Sequence, residues 1–192
     1  NYIERADVVI GGNLVVRSSC YYSSIQVNGD MLCQDKTKLV GGSIIVKGSI
    51  TAGQVGSNAS QPMVIGAGID PRRFKRHREL TRQYDRFLSN VKGIQHRYGK
   101  KTGGEKQMNL LLEEMEEIEK ELSVLNLIPE MPEDSMGQPG SFFTTATISV
   151  DGLISAGTVI RLGNDILTVE RALSRVRIRM NSTSGEIENI PM

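Results

Sequence analysis

Residues 41–53 read Gly-Gly-Ser-Ile-Ile-Val-Lys-Gly-Ser-Ile-Thr-Ala-Gly, and the fold depends on how that stretch repeats. Ile44 and Val46 stand two apart behind the Gly41-Gly42 step, and Ala52-Gly53 makes the next step. The arrangement also runs upstream: Val8 and Ile10 precede Gly11-Gly12 with Leu14 and Val16 after it, and Ile25 and Val27 precede Gly29-Asp30 with Leu32 after it. An apolar period of two means β-strand, and glycine at the steps allows the positive φ of a tight turn. The steps lie 18, 12 and about 11 residues apart, close to multiples of six. A hairpin meander needs no fixed interval, whereas a solenoid does, because it stacks like residues above one another. The strands therefore predict a parallel β-solenoid.

The pattern stops and then resumes. Ile148, Val150, Asp151-Gly152, Ile154, Ala156-Gly157, Ile160, Leu162 and Gly163 read as further turns over residues 146–163. Leu167, Val169, Val176, Ile178 and Met180 read as closing strands, since a last coil must cover the open end of a stack. Between Asp70 and about Leu127 the apolar spacing becomes three and four, which marks helix. Asp70-Pro71 supplies a cap and a first-turn proline. His77, Leu80, Tyr84, Phe87, Val91, Ile94 and Tyr98 line one arm; Met108, Leu111, Met115, Ile118, Leu122 and Leu125 line the other. Facing residue numbers add to a constant 202, whose half falls at Lys101 within the glycine-rich reversal Gly99 to Gly104. That arithmetic predicts an antiparallel α-helical coiled-coil hairpin. The expected division is β-helix coils over 1–69, the hairpin over 70–127, a linker over 128–145, and β-helix continuation with closing strands over 146–192.

The net charge of +1 conceals segregation. Arg72 to Lys101 holds eleven Lys or Arg against Glu79 and Asp85, and Glu105 to Glu121 holds seven Glu against Lys106 and Lys120. The register sets Gln83 opposite Glu121, Asn90 opposite Glu114 and Arg97 opposite Gln107, so few charges are expected to meet and most project outward. Lys75, Arg78, Arg82 and Arg86 form an outward stripe on the first arm. Glu113, Glu116 and Glu117, with Lys120, point outward on the second. On the other flank Leu88 faces Leu112, with Phe74 equivalent nearer the base. Lys75, Arg78, Arg82, Arg86, Leu88, Leu112, Glu113, Glu116 and Glu117 are the candidate partner-binding surface, for another protein or a second copy, with the leucine flank alternatively lying against the solenoid; solenoid edges offer self-association too. The rival expectation is a nucleic-acid module using the basic helix on phosphates. It is disfavoured, because exposed aromatics for stacking are missing and the acidic arm would repel a duplex.

Chemistry finds little purchase. Aromatic content is 5% with no tryptophan, so the core must be aliphatic. Cys20 and Cys33 fit neither a CxxC pair nor a zinc knuckle and read as reduced core thiols. His77 reads as a seam residue and His96 as a surface one, neither with metal-ligand spacing. A solenoid acyltransferase would need a catalytic histidine on its coils, and a polysaccharide-cleaving solenoid clustered acids. Asp7, Asp30, Asp35, Asp151 and Asp165 are scattered, and several of them read as turn residues. Gly66-Ala67-Gly68 lacks the rest of a phosphate loop, and no serine sits in a GxSxG elbow. No catalytic residue, cofactor or metal is expected. The absence of a long apolar run or signal-like opening predicts a cytoplasmic protein. Asn1 opens directly on repeat-like sequence, which fits a fragment with further repeats upstream.

The runs Gly41-Gly42-Ser43-Ile44-Ile45-Val46-Lys47-Gly48, Val55-Gly56-Ser57-Asn58-Ala59-Ser60-Gln61-Pro62 and Ile65-Gly66-Ala67-Gly68-Ile69-Asp70-Pro71 before a charged helix resemble the flagellar assembly protein A family. Ile148 to Gly163 and Gly185-Glu186-Ile187 are similar to that family's return from coiled coil to β-helix. Ser155-Ala156-Gly157 departs from its usual Tyr-Pro-Gly, and Gly56-Ser57-Asn58 from its Gly-Ser-Pro, both in turns. The resemblance implies a single-stranded right-handed parallel β-helix, akin to that of bactofilins and the septum-site protein MinC. It also implies a non-enzymatic, cytoplasmic role in bacterial flagellar assembly or placement, with no catalytic residues to carry over.

Overall fold

The computed structural model describes residues 2–57, 62–98, 105–129 and 144–192. It divides into two compact units, Asn1–Pro71 with Leu127–Met192, and Arg72–Asn126. The first is the β-solenoid. Strands β1 (Ile3–Glu4), β2 (Asp7–Ile10) and β3 (Leu14–Val16) make one rung, and β4 (Cys20–Val27) with β5 (Met31–Cys33) makes the next. Then come β6 (Lys38–Val46) with β7 (Ile50–Ala52), and β8 (Gln54–Val55) with β9 (Val64–Ala67). After the insertion, β10 (Ile148–Ile154) and β11 (Val159–Leu162) resume the stack. Neighbouring rungs pair in parallel throughout this stack.

Register converts the apolar period into columns. Val8, Ile25, Ile44, Ile65 and Ile160 stand directly above one another. A second column runs Ile3, Cys20, Leu39, Val55 and Ile154, and a third Leu14, Met31, Ile50 and Ile148. Beyond the first rung every member of these columns is buried. Each such side chain contributes about 1.5–3 kcal/mol on leaving water. The three columns fill the solenoid's interior, where Cys20 and Cys33 are both free and buried, as expected. Burial pushes the Cys33 thiol up to about 12, even though a hydrogen bond with Thr37 acts the other way.

The rung-to-rung step is 17 residues from Val8 to Ile25, 19 from Ile25 to Ile44 and 21 from Ile44 to Ile65, so the glycine steps do not mark one corner. Gly29 and Gly48 share a corner, whereas Gly41 and Gly42 lie within β6 at another. At that second corner Arg5, Tyr22 and Gly41 are stacked with φ of 48°, 50° and 66°, and the Tyr22 ring fills the space a Gly41 Cβ would need. Leu32 corrects the strand reading by one place: it is 50% exposed, and its neighbours Met31 and Cys33 point inward. With a side-chain period of two, a slip of one residue exchanges the faces.

The stack closes by reversing direction. Gly163 (φ 57°) and Asn164 make a tight turn into β12 (Asp165–Thr168), which lies antiparallel on β11. β13 (Leu173–Met180) lies antiparallel on β10, and β14 (Ile187–Pro191) antiparallel on β13. A hairpin can reverse within two residues, whereas a parallel strand needs a crossover. Leu167 and Leu173 extend the first two columns, Ile178 extends the third, and Val169, Val176 and Met180 are buried with them.

The second unit holds two helices, α1 (Pro71–Tyr98) and α2 (Glu105–Val124). Asp70 immediately precedes Pro71, whose missing N–H costs nothing in a first turn. Leu80, Val91, Met115 and Ile118 are buried between the helices, and His77, Tyr84, Phe87, Ile94, Met108, Leu111 and Leu122 are half-buried. The glycine-rich reversal and most of the expected linker lie outside the described residues.

Candidate interaction surfaces

Polar contacts between α1 and α2 fix their relation. Arg73 Nη1 donates to the Asn126 carbonyl (3.1 Å), the Arg76 guanidinium donates twice to Glu121 (2.7 and 2.8 Å), and the Tyr84 hydroxyl donates to Glu119 Oε1 (2.6 Å). Partner numbers fall as α1 numbers rise, so the helices are antiparallel. Arg76, not Gln83, is the residue that meets Glu121. It sits one heptad before Gln83 on the same flank of α1, and its guanidinium places two donors on the one carboxylate. The expected opposition of Gln83 and Glu121 is what this pairing corrects. The pairing holds Glu121 below the usual carboxylate range and raises Arg76, and hydrogen bonding to Glu119 raises Tyr84.

Lys75, Arg78, Arg82 and Arg86 are all exposed on α1, and among the described residues none of the four takes part in an ion pair. Their spacing of three and four places them away from the buried seam. On α2, Glu113, Glu116 and Glu117 are exposed, and Glu116 pairs with Lys120 one turn on (2.8 Å). Leu112 is 46% exposed and Leu88 half-buried, while Phe74 is buried. Composition alone missed Leu110 and Val124, which are 58% and 80% exposed on α2. The signal was their position off the seven-residue seam.

The solenoid's polar features serve its corners. Asp30 accepts from Ser49 N (2.7 Å), Asn13 accepts from Asp30 N (2.8 Å), and Ser49 Oγ accepts from Thr147 N (3.1 Å). One short polar side chain thus satisfies the next rung's amide down a single corner, including the rung that returns after the insertion. Asp30 is a turn residue, as its type and place suggested. Among the described residues no three His, Cys, Asp or Glu side chains converge as metal ligands, and no helix is long and apolar enough to cross a membrane.

The chain is thus a stack of short parallel rungs, interrupted by a charged helical pair and closed by reversed strands. The family model described as the flagellar assembly protein A β-solenoid domain matches residues 1–187. The chain belongs to this family. Comparisons with curated proteins and with solved structures find no match. The match runs through both units, so the helical pair falls inside the flagellar assembly protein A domain, and the corner ladder of Asn13, Asp30, Ser49 and Thr147 lies in its solenoid.

Proposed function

We propose that this flagellar assembly protein A chain is a non-enzymatic scaffold that holds a protein partner through its helical arm, with the solenoid as a rigid base. The observation that carries this reading is the arm's unspent charge: Lys75, Arg78, Arg82 and Arg86 make no ion pair among the described residues, while Leu112 beside the seam is exposed. Solvated charges bordering a small apolar area suit a contact whose rate and partner choice are electrostatic. Glu113, Glu116 and Glu117 supply the opposite sign on the same arm, which supports a protein partner over a polyanion.

The test replaces Lys75, Arg78, Arg82 and Arg86 together by Glu, and in a second variant Leu88 and Leu112 by Glu, in cells that depend on this protein for flagella. Folded variants that no longer support flagellar assembly are the expected result. Full flagellation by both would overturn the reading. Salt-sensitive binding of DNA or RNA by the parent, lost in the first variant, would establish the nucleic-acid alternative in its place.

A further inference from the structure

Gly93 lies in the interior of α1, is exposed, and a Cβ built there would meet none of the described residues within 4 Å. Glycine weakens a helix relative to alanine, and nothing among the described residues occupies the space it leaves. What glycine alone permits is close approach from outside. Gly93 belongs to a stripe on α1 that also holds Arg76, Glu79, Gln83, Arg86 and Asn90, spaced by three or four residues. The matching stripe on α2 holds Leu110, Glu114, Glu117, Glu121 and Val124. Arg76 and Glu121 already pair across this flank. From the Tyr84–Glu119 contact, two residues forward on α1 and two back on α2 bring Arg86 level with Glu117. Nine residues each way bring Gly93 level with Leu110. The flank therefore presents a cation and a notch on α1, and at the same heights an anion and an exposed leucine on α2.

We propose that a second copy of this chain docks on this flank, the two arms side by side and pointing the same way, with α1 of each against α2 of the other. Leu110 of each copy then seats over Gly93 of the other, and Arg86 meets the other copy's Glu117. A two-fold axis along the arms gives this pairing; an axis across them would set basic α1 against basic α1. Every neighbouring helix in the resulting four is antiparallel and opposite in charge. The 20 residues of α2 span about 30 Å. Two helix widths over that length give roughly 600 Å² per copy, at the low end for specific contacts. Association is therefore weak and falls with salt. The inference rests on the arm being an interaction element and names its partner as another copy.

Sedimentation of the full chain over a concentration series, at low and high salt, tests it. A reversible dimer that weakens roughly tenfold or more at high salt is expected. Gly93→Leu raises helix propensity, so a helix with no neighbour would tolerate it. Here it should weaken the dimer by about tenfold or more while the melting temperature holds. Leu110→Ala should weaken it too, and Gly93→Leu with Leu110→Ala should restore it by moving the knob to the other helix. If Gly93→Leu perturbs folding, Arg86→Glu and its rescue by Glu117→Arg decide in its place. A chain that stays monomeric at low salt, or a dimer indifferent to these variants, overturns the proposal. A monomeric chain whose arm is still required for flagella removes the second copy and leaves the scaffold reading intact.

Discussion

Gly48 has no positive φ, so its identity is set by space: a Cβ there would overlap the carboxylate of Asp30, which accepts from Ser49 N. Gly48→Ala should therefore destabilise the solenoid by about 1–3 kcal/mol, measured by chemical denaturation. In an Asp30→Ala background the closest clash is gone, leaving the Gly29 carbonyl oxygen at 3.0 Å, and the same substitution should cost roughly 1 kcal/mol less. Glycine and aspartate types suggested a turn, but that one rung's side chain fills the next rung's missing Cβ is visible only when rungs are stacked. Cys33 makes a second case. With its pKa pushed up to about 12, on the order of one molecule in 10,000 carries the thiolate at pH 8, so thiol reagents should leave the folded protein unmodified and react on unfolding. The unfolded chain releases that proton near pH 8.5, so stability should fall as pH rises past that value.

Among the elements, the helical pair separates buried from decorative residues. Leu80 is 1% exposed, and Leu80→Ala should cost the arm about 2–5 kcal/mol; Leu112→Ala, at 46% exposed, should stay within about 0.5 kcal/mol. Helical circular dichroism against denaturant checks both. The arm should also loosen at both ends of the pH range. Glu121 has its pKa lowered by Arg76, so this contribution is present at neutral pH and lost as pH falls below the ordinary glutamate value of about 4.3. Tyr84 has its pKa raised by Glu119, so its contribution holds below about pH 10 and is lost as pH climbs through the raised value. Both effects should vanish in Arg76→Ala and Tyr84→Phe respectively, read as the pH dependence of melting. The seam was legible because burial obeys a seven-residue cycle. Arg76 against Glu121 was not, since the pairing is settled by where side chains of two helices meet, which spacing within either helix does not measure.

For the molecule as a whole, Asp70 N donates to the Leu127 carbonyl at 2.8 Å, closing the backbone of the solenoid unit across the insertion. Replacing residues 72–126 by a short glycine-serine link should leave a cooperatively melting β-protein with its helical signal gone. Removing β13 and β14 should do the reverse, baring the edge of β10 and producing aggregation, measured by light scattering. The closing strands were legible as strands, and their apolar positions as core. Their antiparallel direction was not, because alternation is the same whichever way a strand runs. By itself the sequence determined where period two gives way to a seven-residue cycle and returns, since that period follows from the geometry of one strand or one helix. The tertiary structure decided which glycines share a corner, that Met31 and Cys33 rather than Leu32 face inward, and which charges pair across the seam. Those depend on the neighbouring rung or helix, whose register is fixed only when distant segments pack together.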